Sequence, residues 1–201
     1  MLHPHTKVAG ISEEIGCGVV ATRDIPKGTI TWVLDPLDRI FNPQQMAELP
    51  DPCRETLLKY SYRNRHGEYV FCWDNTRFMN HSFTPNCITT AYNFELAVRD
   101  IAAGEELTND YGSLNIIEPF HACDEGSGRR IVYSDDLARY YADWDRQLEN
   151  AFQGMHRVDQ PLRELLSDEQ WETADDIAKT RQPMKSILHC LHRPDATTCG
   201  C

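Results

Sequence analysis

The most informative stretch of this sequence, residues 77–87, reads RFMNHSFTPNC. Between apolar residues it places Asn80, His81 and Ser82, followed three residues later by Pro85. Asn and Ser side chains bond to nearby backbone groups and therefore favour irregular structure, and proline prevents a regular element from continuing. The stretch fits either a surface loop or a site at which the backbone bends for a functional reason.

Length and charge limit the classes of protein to which the chain can belong. Its 201 residues fit one domain, or one domain with a small appendage. Lys and Arg number 20 and Asp and Glu number 31, which gives a net charge of −11. This balance argues against binding to nucleic acid or to an anionic membrane and favours a basic, Lys-bearing protein or peptide as partner. Acidity also serves solubility, so the charge by itself identifies no partner.

The cysteines indicate a reducing compartment. They are scattered along the chain, unlike the crowded cysteines of a small disulfide scaffold, and stand at positions 17, 53, 72, 87, 123, 190, 199 and 201. The first residues contain no apolar segment of signal-peptide length, and no run of 18 apolar residues occurs. We expect a cytoplasmic protein, or a nuclear one in a eukaryote, with most cysteines buried as small apolar residues.

The first two-thirds of the chain predict short strands and turns. The run EYVFCWD at 68–74 predicts a strand with Tyr69, Phe71 and Trp73 on one face. The segment ATRDIPKG (21–28) returns as AVRDIAAG (97–104), so two strands each lead into an Arg-Asp-Ile turn closed by glycine. Duplication and convergence on one favourable turn both explain this echo.

The last third predicts helices. Ser134 or Asp135 can cap a first helix, and apolar residues then recur at helical spacing, namely Leu137, Tyr141, Trp144, Leu148 and Phe152. Ser167 and Gln170 form a capping-box pattern before a second helix. The run MKSILHCLHR at 184–193 predicts a third. The expected architecture is mainly β with appended α-helices.

Two further stretches carry chemistry when they are taken together with the first. GCGVV, from Gly16 to Val20, places two glycines before a strand, where a ligand can approach bare backbone. AAGEELTNDYG, residues 102–112, ends a predicted strand at Asp110 and Tyr111, so that the tyrosine hydroxyl can point into a site. Each stretch alone is equally consistent with an ordinary turn or a half-buried tyrosine.

In this order the three stretches resemble the SET domain of protein lysine methyltransferases. The resemblance covers about residues 8–112 and implies a SET fold over residues 1–117, a degenerate post-SET loop over 118–133 and a helical extension over 134–201. It implies a knot-like crossing of the segments that hold Asn80–His81 and Leu107–Tyr111, and it makes Tyr111 the catalytic residue. The polar residues of the opening stretch then brace a threaded backbone.

The resemblance also implies a cofactor and a substrate. S-adenosylmethionine would lie along Gly16, Cys17 and Gly18, with Asn80 and His81 at its ends. Tyr69 would stand near both the cofactor and a lysine channel, and Phe120 would stack on the adenine ring. On chemical grounds the rings of Tyr69, Phe71 and Trp73 can wall such a channel and attract a cation, whereas the simpler interpretation of two of the three is plain strand core. The substrate would be a lysine side chain of a protein.

The chain departs from the family at two places. Many members bind zinc through a Cys-rich loop and through the residue after the Asn-His-Ser motif, but here that residue is Phe83 and the loop contains Cys123 alone. Since a structural zinc site needs about four ligands, we expect no zinc there and less than one zinc per chain, unless Cys190, Cys199 and Cys201 fold back. The family tunes the degree of methylation two residues before the tyrosine, where this chain has Asn109.

Three hypotheses remain open. The first is a methyltransferase acting on protein lysine, the second a catalytically silent SET-like binding or scaffold module, and the third a methyltransferase acting on a small amine.

Overall fold

A computed structural model describes residues 1–123 and 125–193, so Cys199 and Cys201 lie outside the described residues. The chain is mainly β with helices toward its C-terminal end, as predicted. The strands are β1 (Thr6–Ser12), β2 (Gly16–Ala21), β3 (Ile30–Val33), β4 (Arg39–Phe41), β5 (Ser61–Arg63), β6 (Tyr69–Phe71), β7 (Asn80–His81), β8 (Cys87–Thr89), β9 (Phe94–Ala97), β10 (Glu106–Asn109), β11 (Phe120–His121) and β12 (Ile131–Val132). The α-helices are α1 (Pro43–Ala47), α2 (Asp51–Tyr60), α3 (Asp136–Phe152) and α4 (Asp168–Ala178), and short 3₁₀ helices cover Asn75–Phe78, Tyr111–Ser113, Met155–Arg157, Arg163–Leu165 and Ile187–Cys190.

The described strands form four small sheets. Their strand orders are β1-β2-β10-β7, β3-β9-β8, β4-β6-β5 and β11-β12. All pairs are antiparallel except β7 with β10. In the β8–β9 hairpin Asn93 adopts a positive φ of 62°, which Asn tolerates better than most residues.

The one parallel pair brings the two polar stretches side by side. Asn80 of β7 is opposite Thr108 of β10, and His81 is opposite Asn109. Since parallel neighbours need a crossover connection, the chain between them leaves through β8 and β9 before it returns in β10. The Ser82 N–H then donates to the Asn109 carbonyl at 3.0 Å, and this hydrogen bond holds the two segments together where β7 and β10 end.

The two Arg-Asp-Ile turns lie against each other, and each accepts and donates hydrogen bonds to the other. Ile25 and Ile101 exchange backbone hydrogen bonds of 2.8 and 2.9 Å. Asp24 and Asp100 each accept a 2.8 Å hydrogen bond from a backbone N–H of the opposite turn. The sequence echo therefore corresponds to a matched pair of turns in contact.

The C-terminal helices share the main core with the sheets. Phe152 of α3 packs on Phe94 of β9 with ring centroids 6.0 Å apart. The predicted apolar stripe is buried in this core except for Tyr141, which is exposed, and its buried members are Leu137, Trp144, Leu148 and Phe152. The helical extension therefore packs against the body and completes its core.

The capping box of α4 is confirmed, but the third predicted helix is wrong. Ser167 accepts from the Gln170 N–H at 3.2 Å and donates its own N–H to the Gln170 side chain at 2.9 Å. Of residues 184–193 only Ile187–Cys190 are helical, in a 3₁₀ turn. The Ile187 N–H bonds instead to Asp145 of α3 at 2.7 Å, so a tertiary contact takes a group that a longer helix would use. No helix in the described part of the chain has the length and apolar content to cross a bilayer.

Candidate active site

Tyr111 stands where the crossing meets the large cavity of the molecule. It begins a 3₁₀ helix whose N-terminus is capped by Asp110, which accepts from the Gly112 N–H at 2.9 Å. The Tyr111 N–H donates to His81 Nδ1 at 3.1 Å, and the hydroxyl donates to the carbonyl of Met79 at 2.6 Å. Both ends of the tyrosine are therefore fixed by the segment that contains the Asn-His-Ser motif.

The hydroxyl of Tyr111 stays neutral at physiological pH. Burial, with smaller contributions from Glu106 and Glu95, raises the pKa of Tyr111 to about 12. Since the hydroxyl proton is donated to the Met79 carbonyl, the oxygen keeps its lone pairs for a hydrogen-bond donor that enters from the cavity. The geometry makes Tyr111 an acceptor and orienting group.

His81 is neutral and has a free ring nitrogen. Burial, with help from the charge of Arg129, lowers the pKa of His81 to about 4. Nδ1 accepts from Tyr111, so the ring proton lies on Nε2, and this buried atom has no hydrogen-bond partner in the described part of the chain. The rings of Phe83 and Phe120 lie 4.5 and 5.5 Å from that of His81.

Gly16, Cys17 and Gly18 begin strand β2 and do not precede it as the sequence predicted, and this segment meets Asn80. The Asn80 side-chain amide donates to the Cys17 carbonyl at 3.1 Å and to Glu106 at 2.7 Å. A Cβ on Gly18 would lie 2.8 Å from that amide nitrogen, whereas a Cβ on Gly16 would meet nothing within 4 Å. Gly18 therefore makes room for Asn80, and the bare backbone that the sequence predicted for a ligand is that of the exposed Gly16 and Cys17.

A cavity of about 540 Å³ opens on the other side of Tyr111. Predicted site residues that line it are Tyr69, Asn109 and Tyr111. Trp32, Tyr60 and Tyr62 add aromatic rings to its wall, which also carries aliphatic and charged side chains. The cavity is large enough to take a long side chain together with part of a peptide backbone.

Phe71 and Trp73 lie outside the lining of this cavity, so their prediction as channel walls is corrected. Strand β6 ends at Phe71, so the alternation that would place Trp73 on the face of Tyr69 stops before it. Trp73 is exposed, and its indole N–H donates to Asp35 at 3.2 Å. Cys72, predicted on the opposite face, lines the cavity instead.

The segment after the 3₁₀ helix folds back on the Asn-His-Ser motif. Phe120 lies against both His81 and Tyr111, with ring centroids 5.5 and 6.1 Å away. Glu125 accepts from the Ser82 hydroxyl at 2.5 Å and from the Phe83 N–H at 3.0 Å. A carboxylate therefore anchors this segment at the residue where the resemblance would place a zinc ligand.

Arg129 completes that anchor. It forms ion pairs with Asp110 and Asp136, and its guanidinium lies 4.5 Å above the ring of Phe83 and 4.2 Å above that of Tyr140. Burial raises the pKa of Asp110 even though Arg129 opposes the shift.

In the described residues no group of three or more His, Cys, Asp or Glu side chains could hold a metal ion. The absence of zinc stays a prediction, since Cys199 and Cys201 lie outside that part of the chain.

Sequence reasoning missed Glu95, Glu125 and Arg129. Glu95 sits in the middle of β9 and is buried on the cavity wall. An acidic residue within the apolar run NFELAV was a usable signal, because a buried strand seldom carries an isolated carboxyl group. Glu125 and Arg129 gave no such signal, since a loop with polar residues is ordinary.

Comparison with known protein families finds one domain family in this chain. The sequence profile of the SET domain family matches residues 16–112, just under half of the chain. Among solved structures the chain is similar to a presumed histone methyltransferase of Plasmodium falciparum, with 18% identity and a TM-score of 0.40, over 55% of this chain and 95% of that one. No curated protein sequence matches the chain.

Proposed function

Residues 16–112 of this chain are a SET domain, the domain of a methyltransferase family, and we propose that the chain transfers a methyl group from S-adenosylmethionine to a lysine side chain of a protein. The observation that carries the proposal is the position of Tyr111. Its hydroxyl is held at the boundary between the aromatic cavity and the crossing of β7 with β10.

The residues on the other side of the crossing fit the cofactor. When bound, S-adenosylmethionine supplies a methyl group on a sulfonium. The exposed backbone of Gly16 and Cys17 offers N–H and C=O groups, and the unpartnered His81 Nε2–H offers a donor within an aromatic surround that includes Phe120. We propose that these groups, with Asn80 bracing Cys17, hold the cofactor.

The cavity suits a lysine side chain. Its aromatic wall excludes water and attracts a cation through the ring faces, and desolvation lowers the pKa of an amine below the value of about 10.4 for free lysine. Tyr111 then accepts one N–H of the amine, which fixes the direction of the lone pair. Because methyl transfer needs no covalent intermediate on the protein, such positioning is the main contribution of the chain.

Replacement of Tyr111 by Phe tests the proposal. The protein is incubated with methyl-labelled cofactor and a mixture of basic proteins, and labelled lysine is quantified after hydrolysis. We expect Tyr111→Phe to reduce transfer by about 10-fold to 100-fold, the effect of one hydrogen bond to a charged or developing centre. The exposed Tyr141→Phe loses the same atom on the outer face of α3 and should keep full transfer.

The remaining hypotheses predict other results of the same assay. Cofactor binding by calorimetry without transfer to any protein would support a silent SET-like module. Transfer to free amines but not to proteins would support the small-amine enzyme. Absence of cofactor binding would overturn the proposal and the silent module alike.

A further inference from the structure

The carboxyl group of Glu95 is buried on the cavity wall, and only one of its oxygens is used. Oε1 accepts hydrogen bonds from Thr89 at 2.9 Å and from Asn109 at 2.5 Å. Oε2 is buried and has no hydrogen-bond partner in residues 1–123 and 125–193. A buried carboxylate oxygen in this state loses its hydration without compensation. Stability alone gives no reason for a carboxyl group here, whereas a cationic ligand does.

The surroundings of Glu95 match an alkylammonium ion. Trp32 is its cross-strand neighbour and also lines the cavity, with a buried indole N–H that lacks a partner among the described residues. The rings of Tyr62, Tyr69 and Tyr111 complete the wall. A carboxylate surrounded by aromatic faces combines a charge-assisted acceptor with ring quadrupoles that attract cations.

The basic residues of the cavity do not satisfy Glu95. Lys59 and Arg77 lie 5.1 Å over the rings of Tyr60 and Phe78, and Arg63 lies 5.9 Å over that of Tyr69. No salt bridge joins any of the three to Glu95 in the described part of the chain. The negative charge of the carboxyl group is therefore available to a ligand.

We propose that Glu95 is the cation-binding residue of the cavity: its free Oε2 accepts a hydrogen bond from the ammonium group of the substrate side chain and then takes one proton from it. The inference rests on the proposed function only in that the substrate is an amine. It gives the chain a specificity determinant for cationic side chains.

The proton transfer follows from burial. Burial raises the pKa of Glu95 to about 7, against hydrogen bonds from Thr89 and Asn109 that favour the charged form. In a desolvated cavity a neutral acid and a neutral amine are favoured over a buried ion pair. One N–H bond of the ammonium breaks and one O–H bond forms on Oε2, which leaves the amine lone pair free. The acid later releases the proton to solvent.

A binding experiment without cofactor tests the proposal. n-Butylamine, which has the length of a lysine side chain, and neutral 1-butanol are titrated at pH 8 while the indole N–H signal of Trp32 is followed by NMR. We expect the amine to bind at least tenfold more tightly than the alcohol. Glu95→Gln should remove that preference, and Glu118→Gln, a carboxyl group at the exposed edge of the same cavity, should retain it. Equal binding of the two probes to the unchanged protein would overturn the proposal.

The pH dependence of amine binding gives an independent readout. Affinity should rise between pH 6 and pH 8 as Glu95 ionises, and this rise should be absent from Glu95→Gln. The titratable groups that interact with Glu95 are Tyr62, Cys72, Cys87, Tyr111 and the terminal ammonium, which pairs with Asp35. Burial raises the pKa of each of these thiols and phenols, so none of them titrates in this interval. An identical rise in affinity in Glu95→Gln would mean that another group causes it, and would refute the role of Glu95.

Activity separates this inference from the proposed function. In Glu95→Gln, methyl transfer should fall at pH 7.5 and recover in part near pH 10, where the amine in solution is already neutral. If no protein is methylated but amine binding depends on Glu95, the proposed function fails and the cation site stands. If proteins are methylated and Glu95→Gln leaves both binding and transfer unchanged, the inference fails alone.

Discussion

Single side chains at this site each join distant parts of the chain. Tyr111 connects its 3₁₀ helix to the carbonyl of Met79, and Asn80 connects β7 to both Cys17 and Glu106. A change at one of these residues therefore alters the backbone crossing as well as the cavity. For that reason both the stability and the ligand binding of each variant have to be measured.

Gly18→Ala tests the close approach of Asn80. The new methyl group would meet the side chains of Glu106, Ile11 and Asn80 inside ordinary contact distance, and overpacking of this kind costs about 1–3 kcal/mol. We expect lower stability in urea unfolding and weaker cofactor binding by calorimetry. Gly10→Ala, on the paired strand with nothing within 4 Å of its Cβ, is the matched control. Equal effects of the two changes would show that Asn80 does not need the space at Gly18.

Glu95→Gln should change how stability depends on pH. The pKa of Glu95 is 4.5 unperturbed and about 7 in the folded protein, so between these values the folded state binds more protons than the unfolded one. Stability of the unchanged protein then falls as pH rises from about 4.5 to 7, by about 3 kcal/mol from this group. Glu95→Gln lacks this loss, so its free energy of unfolding in urea, relative to that of the unchanged protein, should be higher at pH 8 than at pH 4.5 by that amount. A constant difference between the two proteins would contradict the shift.

Among the elements, the segment between β11 and α3 shows how charge can hold a loop. Glu125 binds the backbone next to the Asn-His-Ser motif, and Arg129 joins Asp110, at the end of β10, to Asp136, at the start of α3. The site-forming 3₁₀ helix and the first turn of α3 thus share one cation. This arrangement keeps Phe120 against His81 and Tyr111.

Arg129→Met should destabilise the protein strongly. It would leave the carboxyl groups of Asp110 and Asp136 buried without their cation, which typically costs about 3–5 kcal/mol. The loss should appear as a lower urea midpoint and as weaker cofactor binding, because Phe120 is released with the segment. Arg139→Met, which breaks an exposed i,i+4 pair with Asp135, should cost less than about 1 kcal/mol. Similar costs for the two variants would mean that Arg129 is no anchor.

At the scale of the whole molecule, the helices and the sheets share one hydrophobic core. The buried face of α3 packs into the same core as β3 and β9. The net charge of the chain differs in sign from the charge of several residues at the cavity. The chain carries −11, yet Lys59, Arg63 and Arg77 line the cavity. The overall charge is therefore a poor guide to the charge of the site.

Phe152→Ala tests the shared core. The fully buried ring contacts Phe94 and Tyr92, and its loss should cost about 3–5 kcal/mol. Helix and strand signals in circular dichroism should be lost in one coincident urea transition at a lower midpoint. Loss of the helical signal alone, ahead of the strands, would show that residues 134–201 unfold as a separate unit.

The sequence by itself determined what depends on local pattern and on motif order. It indicated strands before helices and the capping box at Ser167, which follow from residue types at fixed spacing. The approach of Asn80–His81 to Tyr111 was implied by the resemblance of three motifs, in their order, to the SET domain.

Tertiary structure alone decided which side chains face the cavity. Where β6 ends determines that Tyr69 lines it and Trp73 does not, and the pairing of β9 with β3 turns Glu95 toward it beside Trp32. Asp145 of α3 holds Ile187 out of a longer helix, and Arg129 joins Asp110 to Asp136 through two ion pairs. In each case the contact joins residues far apart in the chain, and its free energy outweighs local preference because burial removes the alternatives that water would supply.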